Sequence, residues 1–226
     1  MPNSPTVSRR ERLRNQTLSE IKDHAFAQVA EGGPEALSLN AIAREMQMSG
    51  PALYRYFDSR EALLAALVYD SYEDLADTLQ AVADKTRGEE PGGRFKALAD
   101  AYRAWALEHQ QHYRLLFATT YGSGRIAPEK TVPVANRSMM PFLEVLGALY
   151  AQAEASVPAS LEGQLERWGR KRPQASDLSA KVLRRGLVAW TRLHGVVSLE
   201  IDGVFESLNI DPELVYAGEV DEIIAV

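Results

Sequence analysis

The sequence predicts an all-α protein, and three observations carry that prediction. Apolar side chains recur at helical spacing along most of the chain. The longest such stripe, Leu64, Leu67, Val68, Ser71, Tyr72, Leu75, Ala76, Leu79 and Val82, lies between Pro51 and Gly88, where neither proline nor glycine interrupts it. A second stripe runs through Phe95, Leu98, Tyr102, Trp105 and His109, and a third through Leu183, Leu187, Trp190, His194, Val197 and Ile201. No segment alternates apolar and polar residues between hairpin turns, as a half-buried strand would. The longest uninterrupted apolar stretch, residues 62–69, falls far short of the roughly 20 residues that cross a bilayer. The chain therefore reads as soluble and cytoplasmic, with no membrane partner.

Taken in order, helices are expected at 8–31, 38–45, 49–56, 58–86, 93–109, 111–119, 135–156, 176–202 and 211–225. Loops are expected at 121–131 and 158–173, the second gathering Arg167, Arg170, Lys171 and Arg172 around Trp168. Asp58 or Ser59 should cap the long helix by accepting from its unpartnered first amides. In 38–45, Leu39, Ile42, Ala43 and Met46 share one face. The next helix opens on Ser49, a good N-cap, with Pro51 in its first turn, where the missing N–H costs nothing. Leu53 and Phe57, four apart, should anchor that helix to the core.

Two short helices joined by a three-residue turn, with an amphipathic helix before and a long one after, describe a helix-turn-helix. Its second helix is expected to enter the DNA major groove through its N-terminal residues. Gly50, Pro51 and Ala52 let the backbone approach closely. Tyr54 and Tyr56 offer hydroxyls on rigid rings, and Arg55 and Arg60 add positive charge. The domain division that follows is residues 1–57 for DNA binding and 58–226 for the rest.

Ala43-Arg-Glu45, Ser49-Gly-Pro-Ala-Leu-Tyr-Arg-Tyr-Phe57 and Arg60-Glu-Ala-Leu-Leu64 together resemble the signature of the TetR family of bacterial transcriptional regulators. The match covers roughly residues 14–70. A shorter stretch, Trp190-Thr-Arg-Leu-His-Gly-Val-Val-Ser-Leu-Glu-Ile-Asp-Gly203, is similar to a Trp-His-Gly motif in one C-terminal subclass of that family. The resemblance implies base or groove contacts from Asn40, Ser49, Gly50, Pro51, Ala52 and Tyr54, and phosphate contacts from Ser38, Tyr56 and Arg60. Three positions depart from the pattern. Gln47 stands where glycine is usual and must accept a positive φ or a different turn. Arg60 stands where lysine is usual, which changes the geometry of the charge. Ala52 offers no hydrogen bond where threonine or serine is common.

The resemblance also implies a homodimer and an effector cavity among the C-terminal helices. Candidate ligand-binding residues are Trp105, His109, Tyr113, Phe117, Tyr121, Phe142, Trp190 and His194, although aromatic stripes at this spacing are also ordinary packing. His194, one turn after Trp190, suits a core or interface role as well as a ligand contact. Gly186 and Gly195 on the same helix would allow a close helix–helix approach, and Leu183, Leu187, Val197 and Ile201 are the expected dimer stripe. His109 and His112 lie three apart, yet no acidic residue clusters with them at metal-ligand spacing, so no metal is expected. No cofactor motif and no catalytic constellation occurs.

The expected function is a homodimeric, effector-responsive repressor that binds palindromic double-stranded operator DNA, and not an enzyme. The alternatives are an all-α carrier or enzyme that leaves its helix-turn-helix idle, or an activator on the same scaffold. The absence of cysteine excludes disulfides, thiolate metal sites and a cysteine nucleophile. Residues 1–14 hold four arginines and no apolar core, unlike a secretory signal; the arginines are a DNA-contacting arm or a solvated tail. The net charge of −6 would repel DNA if spread evenly. It is not spread evenly: residues 1–60 carry eight basic and seven acidic side chains, so the acidic excess lies beyond them.

Overall fold

The computed structural model describes residues 8–118, 126–151, 157–170, 172 and 175–225. Every regular element among them is helical, as the spacing predicts. The elements are α1 (Arg9–Gly32), a 3-10 turn (Pro34–Ala36), α2 (Leu39–Glu45), α3 (Gly50–Tyr54), α4 (Arg60–Lys85) and α5 (Pro91–Glu108). After them come α6 (Gln110–Tyr113), continued by a π turn over Arg114–Ala118, α7 (Pro128–Leu149), α8 (Ala159–Arg170), α9 (Ala180–Ile201), α10 (Val204–Leu208) and α11 (Pro212–Ile224). No described helix is long and apolar enough to cross a membrane.

The chain divides into two compact units. One holds Met1–Ser71 and Gln111–Thr131; the other holds Tyr72–Gln110 and Val132–Val226. In the first unit α1 starts from a capping box, in which Ser8 Oγ accepts from the Glu11 amide and Glu11 accepts from the Ser8 amide. Ile21, Ala25 and Val29 form its buried face. Lys22 Nζ, 2.5 Å from Asp70 Oδ2, ties α1 to α4, and His24 Nδ1, 3.1 Å from Glu45, ties it to α2. The Phe26 ring stacks on His112 with centroids 4.3 Å apart, fixing α6 against α1. Ser59, rather than Asp58, caps α4: its hydroxyl accepts from the Ala62 amide at 3.0 Å.

In the second unit the expected stripes of α4 and α5 are buried at Tyr72, Leu75, Ala76 and Leu79 and at Phe95, Leu98, Tyr102 and Trp105, while their last members, Val82 and His109, are partly covered. The α9 stripe splits. Leu183 and Val197 are buried within the chain, whereas Leu187 is 45% exposed. Gly186 has an internal role as well: a Cβ there would meet Leu143 Cδ2 at 2.4 Å, so glycine lets α9 press on α7. Arg103 on α5 forks onto both carboxylate oxygens of Glu200 on α9 at 2.8 and 2.6 Å. Those bonds raise the guanidinium's pKa against the opposing effect of burial. The Tyr216 hydroxyl on α11 donates to the Ala99 carbonyl at 2.6 Å, joining α11 to α5.

Three elements differ from the sequence expectation. The segment expected to be a loop at 158–173 contains α8, whose Leu165 and Gly169 are buried and whose Leu161 and Trp168 pack beside Leu143 and Leu183. Clustered basic residues and flanking prolines hid a stripe that steps by four and three. Gly169 is needed there, since a Cβ would lie 3.0 Å from Leu183 and 3.2 Å from the Ala175 carbonyl. Helix α7 begins at Pro128, not 135, and carries Pro133 and Pro141 within it. Proline removes one amide donor without ending the helix when packing holds the flanks. The short α10 follows Gly203, which takes the left-handed conformation at φ 72°.

Candidate nucleic-acid interface

The turn between α2 and α3 sets the aim of everything after it. The Met48 amide donates to the Ala43 carbonyl at 2.8 Å, and the Gln47 amide to the Arg44 carbonyl at 3.2 Å. This is the Schellman pattern, and it places the residue after the C-cap Met46 in the left-handed region. That residue is Gln47, at φ 54°, so the chain keeps the turn geometry and bears the strain of a side chain there.

Helix α3 is held from below by Leu53, fully buried, and by Phe57, 8% exposed. Its outer side carries exposed Ser49, Pro51, Tyr54 and Arg55, with Gly50, Ala52 and Tyr56 partly covered. Tyr54 is 45% exposed. Ser49 sits at the N-cap position, yet its hydroxyl makes no capping bond and stays uncommitted. A Cβ on Gly50 would meet nothing within 4 Å, and its φ is not positive, so nothing within the chain requires glycine there. Asn40 is exposed on the first turn of α2.

Two of the expected phosphate contacts are engaged inside the protein. Ser38 Oγ caps α2 by accepting from the Ala41 amide at 3.3 Å. Arg60 turns inward: Nε donates to the Leu37 carbonyl at 3.2 Å and Nη2 to the Pro34 carbonyl at 2.5 Å and the Glu35 carboxylate at 3.2 Å. A guanidinium placed this way clamps the 3-10 turn that presents α2. Tyr56 is the third, and Arg14 lies over its ring at 5.8 Å.

The expected ligand-binding residues fall into separate groups. In the second unit, Trp105 Nε1 donates to Asp74 Oδ2 at 2.7 Å, with His109 tilted beside the indole at 5.8 Å. Trp190 stacks on His194 at 5.0 Å, and His194 Nδ1 lies 3.3 Å from the Tyr102 hydroxyl. Burial lowers the His194 pKa. Phe142 meets Phe95 edge-on in the core at 5.7 Å. Tyr113, buried, and Phe117 pack together at 5.0 Å in the first unit. Tyr121 lies outside the described residues. Among the described residues no group of three or more His, Asp or Glu is arranged to hold a metal ion.

Residues 21–67 match the family described as bacterial regulatory proteins, tetR family, and residues 95–223 match the tetracyclin repressor-like C-terminal domain. The chain belongs to the TetR family. The C-terminal match spans the Trp190–Gly195 motif, although its description does not name the Trp-His-Gly subclass. The solved structure of SCO4313 is 37% identical with a TM-score of 0.80, covering 97% of this chain and 100% of that one. The TetR-family regulator PfmR of Thermus thermophilus is similar in fold alone, at 18% identity and TM-score 0.59 over 90% of this chain and 96% of that one. The HTH-type transcriptional regulators Rv1816 of Mycobacterium tuberculosis and Mb1846 of Mycobacterium bovis are each 28% identical over 97% of this chain and 96% of their own. This TetR-family chain is thus a DNA-binding transcriptional regulator and not an enzyme.

Proposed function

We propose that the protein is a homodimeric repressor that reads a palindromic operator through α3 and leaves it when a small molecule binds the C-terminal helices. The observation that carries the reading lies in one short helix. Leu53 is fully buried, while its neighbour Tyr54 stands 45% exposed. Exposing a large aromatic ring on a helix pinned from beneath serves a partner rather than the core. Tyr54, Ser49, Pro51, Ala52 and the bare Gly50 backbone would then meet base edges and groove walls. Asn40 would reach them from α2, Tyr56 would meet phosphate, and Ser38 and Arg60 would hold the turn that aims the pair.

The seam of the dimer follows from surface left apolar. On α9, Leu187, Thr191, Gly195 and Leu199 repeat every four residues, with both leucines 45% exposed, and Leu214 of α11 is 72% exposed. A Cβ at Gly195 or Gly218 would meet nothing within 4 Å in the protomer, so close approach by a second copy accounts for both. This row replaces the sequence-expected one, because Leu183 and Val197 are spent in the protomer's own core. Two-fold symmetry would hold the α3 helices about 34–36 Å apart.

For the effector, the Trp105–His109–Asp74 and Trp190–His194–Tyr102 groups supply flat apolar faces with polar edges. Because α6 stacks on α1 through His112 and Phe26, an effector that favours one position of α6 would shift the reading unit between two states. Selection of duplexes from random sequence tests the core of the proposal. Enrichment of a palindrome with half-sites about one turn apart supports it, and a pool without enrichment defeats it.

A further inference from the structure

A groove runs between the first turns of α1 and the far end of α3, away from Gly50 and Pro51. Arg9, Arg10, Leu13 and Arg14 line it from α1, and Arg55 and Tyr56 from the turn that follows α3. Among the described residues none that lines it is acidic. Among the described residues none of these four guanidinium groups is held in an ion pair, and Glu11 is engaged with the Ser8 amide. Arg9 and Leu13 are four apart, as are Arg10 and Arg14, so two adjacent rows of α1 face the groove, while Arg12 does not line it. Leu13, 55% exposed, forms an apolar patch among the charges. The amino end of α1 adds its own positive dipole.

We infer that this groove holds the sugar-phosphate backbone of DNA flanking the bases read by α3. The inference rests on α3 as the reading helix and deepens it by assigning a second, sequence-independent contact. Four guanidinium groups with no ion-pair partner among the described residues are matched by a polyanion, and guanidinium suits phosphate oxygens in pairs. Continuity also argues for DNA: Arg55 and Tyr56 follow Tyr54 directly, so a duplex docked on Tyr54 passes beside them.

The test uses the full chain and a charge-matched control. Arg9→Ala, Arg10→Ala and Arg14→Ala are compared with Arg12→Ala by fluorescence anisotropy on a duplex selected by the wild type and on an unrelated duplex of equal length. Each groove variant should weaken both duplexes by the same factor and flatten log Kd against log salt by about 0.9 per lost phosphate. The drop in affinity between about 50 and about 200 mM salt should shrink roughly threefold for each contact removed. Arg12→Ala should keep the wild-type slope. Trimming the flanks of the selected duplex should weaken the wild type and leave the triple groove variant unchanged. Glutamine replacements serve where an alanine variant fails to melt cooperatively. An Arg12→Ala slope as flat as the others, or wild-type slopes in the groove variants, overturns the groove. A wild type that fails to distinguish the two duplexes, with Tyr54→Ala behaving identically, overturns instead the assignment of α3.

Discussion

Arg60 separates what the family resemblance implies from what the geometry supports. As a phosphate contact, its charge would matter and lysine would serve. As a clamp, its fork matters, because Nε and Nη2 hold the Leu37 and Pro34 carbonyls together. A hydrogen bond from a charged group contributes roughly 1.5–3 kcal/mol. The side chain is 26% exposed, so water recovers part of that in a variant, and Glu35 is too exposed to add much. Arg60→Ala should therefore cost about 2–3 kcal/mol. At roughly 2–4 °C per kcal/mol for a chain of this size, Tm should fall by about 4–12 °C. Arg60→Lys can reach one carbonyl at most and should fall by about half as much. Calorimetry of both variants, paired with DNA anisotropy, decides the matter. Wild-type Tm in Arg60→Lys, with affinity lost only in Arg60→Ala, would refute the clamp and restore the phosphate contact.

Other consequences are equally direct. Gln47→Gly should relieve left-handed strain and raise stability by about 0.5–1 kcal/mol in a thermal melt; an unchanged or lower Tm would show that the turn is not strained. Gly195→Leu has room in the protomer, so circular dichroism should keep its helical signal while sedimentation shows a monomer; an intact dimer would move the seam elsewhere. His194 is held below its ordinary pKa by burial, so the unfolded chain takes up its proton first. Stability should accordingly fall as pH drops through about 6.5 towards the lower folded value. His194→Gln should lose less Tm than the wild type between pH 7.5 and 5.5, and parallel curves would contradict that origin.

The fold was legible where periodicity was continuous. The stripes of α4 and α5 became core except at their last members, Val82 and His109, because a helix with one apolar face has one way to bury it and its end runs out of cover. The α9 stripe misled, since apolar spacing does not say whether a face meets its own chain or another; Leu183 and Leu187, four apart, went opposite ways. Helix α8 was concealed by its arginines, although Arg172 lies over the Trp168 ring at 4.0 Å and donates to Asn136, so part of that charge packs inward. At the candidate interface, a positive φ at Gln47 could be read from the turn pattern as one of two outcomes. The inward fork of Arg60 and the meeting of Arg14 with Tyr56 could not, because both depend on how distant segments pack.

The most direct measurement of the central claim is the affinity of Tyr54→Ala for the duplex selected by the wild-type protein, with an unrelated duplex beside it at the same salt. If α3 reads DNA through this ring, the variant should lose about tenfold or more on the selected duplex, little on the unrelated one, and melt as the wild type does. Equal affinity of variant and wild type for the selected duplex would contradict the assignment.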